Sequence, residues 1–572
     1  MPLALPPAPR CAAAVRLLGA AAFLTALPVC RVDAQVLAAS TDPGLRARVD
    51  SLFAPWSGTD RPGCAVGASR NGRTLFERAY GMADLENGAP MTPATVVHAA
   101  SLAKSVTAMA VLLLARDGRL GLDDDVRRYL PELPDYGVPI TIRHLLTHTS
   151  GLRDFFELLI IARGRFEEER ITGADATAMI ARQRALNFAP GTQYGYSNTG
   201  YLLAARIVER VSGQPFADFV AQRILTPLGM THTRVKAPAA SAVRAAVTDR
   251  AVGHARRAEG WRVAVPNFDV VGSTNLETTV GDLLLWTANL AHPTVGDSAI
   301  VRQMLTPGVL VSGDTTTYGL GLSLQRDRGL RVVEHEGRDP GFRAYFGWYP
   351  DSSVAVALLC NAAALDPVGL GRRVAAATLG LPAEPARVQP PVDDGAARRA
   401  LEWAGVYLEP STRQVAELTL RDGVLYTDRV GGARVEAIGD RRARLVGVPL
   451  ELEFDSTRPR AGYVVRWLVP GRRADRFEWR APIAPALDPA SLATYAGGYA
   501  SPELASTYRV EAGDSTLTLR TAESPPLVAR PVFPDGFVSG QYTIQFVRTR
   551  GKVTGFEISH PRARGVKFVR AD

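Results

Sequence analysis

Ser101-Leu102-Ala103-Lys104-Ser105-Val106-Thr107-Ala108-Met109-Ala110-Val111-Leu112-Leu113-Leu114 is the stretch from which the fold can be read. From Leu102 to Arg116 it predicts a helix, stopped by Gly118. Val106, Met109, Ala110, Val111, Leu112, Leu113 and Leu114 leave no polar face, so this helix belongs inside a large core. Its first turn nevertheless carries a serine and, three residues on and on the same face, a lysine. A serine hydroxyl is a weak nucleophile until a base lies within hydrogen-bond reach. An amine whose pKa burial lowers from about 10.4 can be that base. The helix N-terminus adds free N–H groups and a positive dipole end for a developing oxyanion. A capping serine beside a solvated lysine is the alternative; the apolar helix behind Lys104 argues against it.

Around this helix, residues 36–381 alternate helical and strand patterns. Cys64–Ser69 and Leu75–Tyr80 read as strands about an Asn71-Gly72 turn. Helices are expected at a short segment capped by Thr141 that carries His144, at Asn198–Val211, at Thr279–Leu290 and at Pro367–Leu379. Strands are expected at Tyr318–Leu324, Arg331–Glu336, Arg343–Tyr349 and Ser353–Asn361. Strands at both ends with helices between imply an antiparallel sheet assembled from distant segments and covered by helices. Residues 382–399, rich in Pro, Ala and Asp, read as a linker. Beyond it helical periodicity fades, and short alternating runs between Asp-Gly, Gly-Gly and Pro-Gly turns indicate all-β structure. Trp403-Ala404-Gly405-Val406-Tyr407 is echoed by Tyr495-Ala496-Gly497-Gly498-Tyr499, and Phe477 with Arg480 by Phe568 with Arg570. The two copies, 400–482 and 491–572, are each long enough for a small closed barrel, which leaves no exposed sheet edge.

The whole chain of 572 residues corresponds to about three or four domains of ordinary globular composition. Its net charge of +9 is spread along the chain without a basic stripe, so nucleic acid is not an expected partner. Only Lys104, Lys236, Lys552 and Lys567 are lysines among 66 basic residues, which makes a lysine in a suggestive position harder to ascribe to chance. Arg10 and Arg16 precede an apolar run, Leu17–Val29, and Val32-Asp33-Ala34 fits a cleavage site. Residues 1–34 are therefore expected to be a signal peptide, with a secreted or periplasmic product of charge +7 and no stable membrane insertion. Cys64 and Cys360 each sit in an apolar strand-like run and are expected to be packed core thiols, although an oxidising compartment would allow them to pair.

Two further segments suggest chemistry. Tyr196-Ser197-Asn198 lies in a turn-rich loop feeding a helix. Tyr196 could share a proton with a nearby lysine, and Asn198 could hold Lys104 or a substrate carbonyl; a helix cap is the plainer reading. His335-Glu336-Gly337 ends a strand, where Gly337 would let a substrate backbone lie alongside and His335 would donate to substrate or to Tyr196. A surface histidine is the plainer reading. Other signals are weaker. His144 and His148 lack the glutamate of a zinc helix, Asp123-Asp124-Asp125 lacks calcium-loop spacing, Gly296-Asp297-Ser298 stands mid-chain, and Gly319-Leu320-Gly321 lacks a third glycine. No cofactor or metal is expected. Phe155–Ile161 reads as a packed helix, with a wall of an apolar pocket as the alternative.

Taken in order, Ser-x-x-Lys, Tyr-Ser-Asn and His-x-Gly resemble the motif set of the penicillin-recognising serine hydrolases: class C β-lactamases, D-alanyl-D-alanine carboxypeptidases, D-aminopeptidases and lactamase-like esterases. Thr141–Leu152 and Leu225-Thr226-Pro227-Leu228-Gly229-Met230 are similar to stretches of the same family. The resemblance covers about residues 40–380. It implies an α+β fold, an α/β/α sandwich with an antiparallel sheet and a helical subdomain, here followed by two small all-β barrels. It implies Ser101 as acylated nucleophile, Lys104 as its partner, and Tyr196 as the general base that later protonates the leaving group. Asn198, His335, Gly337 and Arg338 would contact substrate, the oxyanion lying between the backbone N–H groups of Ser101 and Arg338. Where many relatives have Lys-Thr-Gly this chain has His335-Glu336-Gly337, and a histidine is largely neutral at pH 7. That departure is closer to D-aminopeptidases and esterases, and in the D-aminopeptidase architecture a barrel loop reaches the site. The expected function is amide or ester hydrolysis through an acyl-enzyme on a small-molecule or peptide substrate, cell-wall peptides included. The alternatives are a lactamase-like esterase and a sensor that binds penicillin without turnover. The oligomeric state stays open, a homodimer included.

Overall fold

The computed structural model describes residues 42–164, 170–236, 250–382, 395, 401–429, 432–446, 448, 450–455, 464–468, 475–481, 487–522 and 525–571. The expected signal peptide and nearly all of the expected linker lie outside the described residues.

The chain opens with helix α1 (Pro43–Phe53) and strands β1 (Cys64–Arg70) and β2 (Arg73–Tyr80). Helices α2 (Ala103–Arg116), α3 (Phe155–Arg163), α4 (Asn198–Ser212) and α5 (Val280–Ala291) follow. Strands β3 (Ser323–Asp327), β4 (Leu330–Asp339), β5 (Phe342–Tyr349) and β6 (Val354–Cys360) and helix α6 (Pro367–Leu379) complete the first region. The strands form one antiparallel sheet in the order β3-β4-β5-β6-β1-β2. The β1–β2 turn places Asn71 and Gly72 at φ 52° and 74°, the left-handed pair that a tight hairpin needs. Helices α1 and α6 cover one face, where Leu45, Val49 and Phe53 meet Leu370 and Val374 over Val66, Leu358 and Tyr349. Helices α5 and α2 cover the other; every residue of α2 from Ala103 to Leu114 is buried, as its apolar sequence requires.

Two expectations need correction. Cys64 and Cys360 are directly opposed in the β1–β6 register and form a disulfide, so they are not free core thiols. Their separation of 296 positions hides that adjacency in the sequence. The strand expected from Tyr318 begins at Ser323. Gly319-Leu320-Gly321 is instead a close-packed turn: a Cβ on Gly319 would lie 2.1 Å from the Met304 carbonyl oxygen, and one on Gly321 2.7 Å from that of Lys104.

The C-terminal region forms two closed barrels of eight strands each, the first from Gly405 to Arg480 and the second from Gly497 to Arg570. The sequence echo has a physical basis. Tyr407 Oη donates to the Trp403 carbonyl at 2.8 Å, and Tyr499 Oη to the Tyr495 carbonyl at 2.7 Å. Each barrel therefore starts with the same clasp four residues long. The second barrel is fastened to the first region around α3. Tyr508 Oη and Ser506 Oγ donate to the carbonyls of Ile161 and Ala162 at the end of α3. Arg153, nearly fully buried, pairs with Glu503 at 3.1 Å and donates to the Gly565 carbonyl. Among the described residues no helix is long and apolar enough to cross a membrane.

Candidate active site

Ser101 sits in a single 3₁₀ turn, Ala100–Leu102, that leads into α2. Ala100, just before it, is held at φ 49°, a left-handed conformation that costs energy for any residue with a side chain. One turn later Lys104 is completely buried. Its Nζ lies 2.9 Å from Ser101 Oγ, 2.9 Å from Asn198 Oδ1 and 2.6 Å from the Ser273 carbonyl oxygen. Burial without a full counter-charge lowers the Lys104 pKa to about 7, with Asp339 and Asp154 opposing the shift. A neutral amine has two hydrogens and one lone pair. Asn198 and Ser273 take the two hydrogens, so the lone pair is left facing the Ser101 hydroxyl.

Tyr196 completes the group: its Oη lies 2.9 Å from Ser101 Oγ. Burial drives its phenol pKa far above the ordinary value, so the ring rests protonated. The His148 ring packs at 4.3 Å against one side of Tyr196, and the Arg562 guanidinium lies 5.0 Å from its centroid. His148 is itself buried, which pushes its pKa well below the usual imidazole value and keeps it uncharged. Asn198 is fixed from behind. Its backbone N–H and its Nδ2 both donate to Asp154 Oδ2, at 2.7 and 2.9 Å, while Asp154 Oδ1 caps α3 through Phe156 N–H and Glu157 N–H. Of the two expectations for Asn198, the geometry thus favours the hold on Lys104.

His335 is placed otherwise than the sequence suggested. Its Nδ1 lies 2.7 Å from the Glu336 carbonyl oxygen, so this nitrogen carries the proton, and its Nε2 accepts from Tyr318 Oη at 2.9 Å. Both ring nitrogens are spent, and the ring has none left to donate to substrate or to Tyr196. Burial, helped by the nearby Lys104, lowers its pKa to about 3, in line with the expected neutral histidine. Gly337 also has a different task. A Cβ there would lie 2.3 Å from the Ala99 carbonyl oxygen and 3.1 Å from Ala100 Cβ. Its missing side chain lets β4 press against the Ser101 turn, and it is this turn, not a substrate backbone, that fills the space. The pairing of β3 with β4 ends at Glu334, and among the described residues Arg338 lies on the stretch of β4 beyond it, without a strand partner on that side. The Arg338 side chain is exposed and paired with Glu336 at 2.7 Å.

Several groups that build the site escaped sequence reading. Asp339 Oδ2 accepts from Thr274 Oγ1 at 2.5 Å and lies 2.7 Å from His98 Nε2. One carboxylate thereby joins the segment leading to Ser101, the segment carrying the Ser273 carbonyl, and the end of β4. Asp154 and Tyr318 are equally unmarked by any local motif, and His148 lies in the family-like stretch Thr141–Leu152 without a role assigned to it. Arg562 arrives from the second barrel, in the turn between the strands Lys552–His560 and Ala563–Arg570. Its carbonyl accepts from Asp154 N–H at 2.8 Å and from Asn187 Nδ2 at 3.0 Å. Gly296-Asp297-Ser298 proves to be a helix cap, Asp297 accepting from Ala299 N–H and Ile300 N–H.

Comparisons with known proteins place the chain in a family. Residues 46–381 match the Beta-lactamase family. A D-aminopeptidase of Cereibacter sphaeroides strain KD131 is 28% identical over 527 residues, covering 89% of this chain and 96% of the relative. Penicillin-binding protein 4* of Bacillus subtilis strain 168 is 30% identical over 331 residues, covering 55% of this chain and 72% of the relative. Among solved structures, the octameric penicillin-binding protein homologue from Pyrococcus abyssi has a TM-score of 0.54 at 22% identity, covering 76% of this chain and 99% of that one. SurE solved with D-Leu has a TM-score of 0.51 at 25% identity, covering 76% and 98%. With the family matched over more than half of its length, the chain belongs to the beta-lactamase family and is a serine hydrolase.

Proposed function

We propose that this hydrolase cleaves amide bonds next to a D-amino acid, through an acyl-enzyme on Ser101. The observation that carries the reading is the position of Ser101 Oγ, 2.9 Å from both an amine that titrates at about 7 and a protonated phenol. Ser101 Oγ would attack the substrate carbonyl as its proton passes to the lone pair of Lys104. The oxyanion would form between the N–H groups of Ser101 and Arg338. Tyr196 would give its proton to the departing amine and recover one from the Lys104 ammonium, so no net charge accumulates. Water would release the acid by the same steps in reverse.

The D-amino-acid preference is supported by the D-aminopeptidase relative and by the D-Leu in the SurE structure. The neutral His335 supports it as well, since this histidine gives the β4 edge no fixed cation. Export under residues 1–34 would bring the enzyme to wall peptides, which carry D-residues. The test combines an acylating probe with a substrate panel. Mass spectrometry is expected to find the adduct on Ser101, and Ser101→Ala to lose at least about 10³-fold in rate. Among D-alanyl p-nitroanilide, p-nitrophenyl acetate and nitrocefin, the first is expected to turn over fastest. Unaltered activity in Ser101→Ala refutes the mechanism, and faster hydrolysis of the ester or of nitrocefin refutes the substrate class.

A further inference from the structure

Arg562 and Arg564 are two residues apart in the second barrel, yet their side chains are treated very differently. The Arg564 guanidinium is tied down by the Asn187 carbonyl, Gln193 Oε1 and the Ser411 carbonyl, and it lies over Phe188. Arg562 is exposed as a residue and, among the described residues, its guanidinium has no hydrogen bond or ion pair, although Asp154 and Glu157 stand near enough to raise its pKa. Its one close contact is the face of Tyr196, at 5.0 Å. The carboxylates around it are engaged elsewhere. Asp154 spends both oxygens on backbone N–H groups and Asn198, and Glu157, pushed up to about 7 by burial and by Asp154, lies 3.1 Å from His560 Nδ1. Of the other groups at the site, His335 and His148 are neutral, Tyr196 is protonated, Lys104 titrates at about 7, Asp339 accepts from Thr274, and Arg338 is paired with Glu336. Among the described residues, Arg562 is thus a permanent cation without an ion-pair partner, beside the Tyr196 ring.

From this juxtaposition we infer that Arg562 binds the α-carboxylate of the departing amino acid, so that the preferred substrates are dipeptides whose second residue has a free carboxylate. The inference rests on the acyl-enzyme reading above, which puts the leaving nitrogen at Tyr196 Oη. In an α-amino acid the carboxylate is attached one carbon from that nitrogen, and the guanidinium stands 5.0 Å from the centroid of the same tyrosine ring. Arg presents a planar fork that matches a carboxylate with two parallel hydrogen bonds. The backbone that carries the fork is held in place: the Arg562 carbonyl accepts from Asp154 N–H and Asn187 Nδ2, leaving the side chain to meet the substrate.

The experiment compares D-alanyl-glycine with D-alanyl-glycinamide, which differ only in that charge, on the full chain and on Arg562→Gln and Arg562→Lys. The wild-type kcat/KM ratio, acid over amide, is expected to be about 10 to 100, the value of charge-assisted hydrogen bonds to one carboxylate. Arg562→Gln is expected to bring the ratio close to one, mainly through KM for the acid, and Arg562→Lys to leave an intermediate ratio. Added salt should lower the ratio in the wild type and not in Arg562→Gln. A wild-type ratio near one overturns the inference. So does a loss in Arg562→Gln that is equal for both substrates, which would mean that the cation acts on the Tyr196 proton. If D-alanyl p-nitroanilide is cleaved and Ser101 labelled while D-alanyl-glycine is untouched, the carboxylate site falls and the acyl-enzyme stands. If Ser101 takes no label and nothing is cleaved, both fall.

Discussion

Replacing Lys104 with methionine tests the central claim about its charge. The side chain is wholly buried, and its pKa stands at about 7 against 10.5 for a solvated amine. The folded chain thus binds this proton more weakly than the unfolded chain does. Between pH 7 and 10.5 the unfolded form holds more protons, so the Lys104 contribution to stability rises with pH. At 1.36 kcal/mol per pKa unit, keeping the amine in its site costs about 4 kcal/mol at pH 7 and about 2 kcal/mol at pH 9. Lys104→Met removes that cost. It also strands Asn198 Oδ1 and the Ser273 carbonyl, at about 1–3 kcal/mol each, but that penalty does not vary with pH. The diagnostic is therefore a difference of differences. In urea unfolding followed by circular dichroism, the wild type should gain about 2 kcal/mol on Lys104→Met between pH 7 and pH 9. Acylation of Ser101 should rise with pH to a plateau, with its midpoint near pH 7. A pH-independent difference between the two proteins, or an acylation midpoint near pH 10, would refute a neutral, desolvated lysine.

Other outcomes follow from the packing. Gly337→Ala must move either β4 or the Ser101 turn, because the new Cβ would lie 2.3 Å from the Ala99 carbonyl oxygen. A displacement of about 1 Å at the oxyanion position should cost about 100-fold in kcat, and a wild-type kcat would refute the close approach. Cys64 and Cys360 should be recovered as one cross-linked pair in peptide mapping. Their joint replacement by alanine should lower stability by about 5 kcal/mol, given the length of the loop that the bond closes, and a free thiol at either position would contradict the pairing. Glu503→Ala leaves the nearly buried Arg153 without its partner and should destabilise the attachment of the second barrel by about 3 kcal/mol, read as earlier thermal unfolding; an unchanged Tm would show that the pair carries no net stability.

What the sequence disclosed and what it concealed divide along chain distance. The apolar run behind Ser101 settled a buried helix, and the spacing to Lys104 put both groups on one face, because both signals are local. The barrel repeat was visible as Trp403–Tyr407 and Tyr495–Tyr499, since each copy needs its tyrosine four residues from the carbonyl it clasps. The disulfide could not be seen, being a matter of strand order. The roles of His335 and Gly337 were misread for a related reason. A histidine in a motif suggests a donor, but Tyr318, 17 residues away, occupies its free nitrogen. A glycine in a motif suggests room for a ligand, but the Ala99 carbonyl takes the room. Asp154 and Arg562 bear on the site across 44 and several hundred residues of chain, and no periodicity reports such meetings.

The turn that brings Arg562 into the cleft is pinned through its main-chain carbonyl. Whatever side chain stands at that position inherits the same vantage over the reacting bond. If Arg562 reads the leaving group, the enzyme would be re-addressed by a single codon in the second barrel, with Ser101, Lys104 and Tyr196 left as they are. Selection on substrate and selection on rate would then be written in separate parts of the polypeptide.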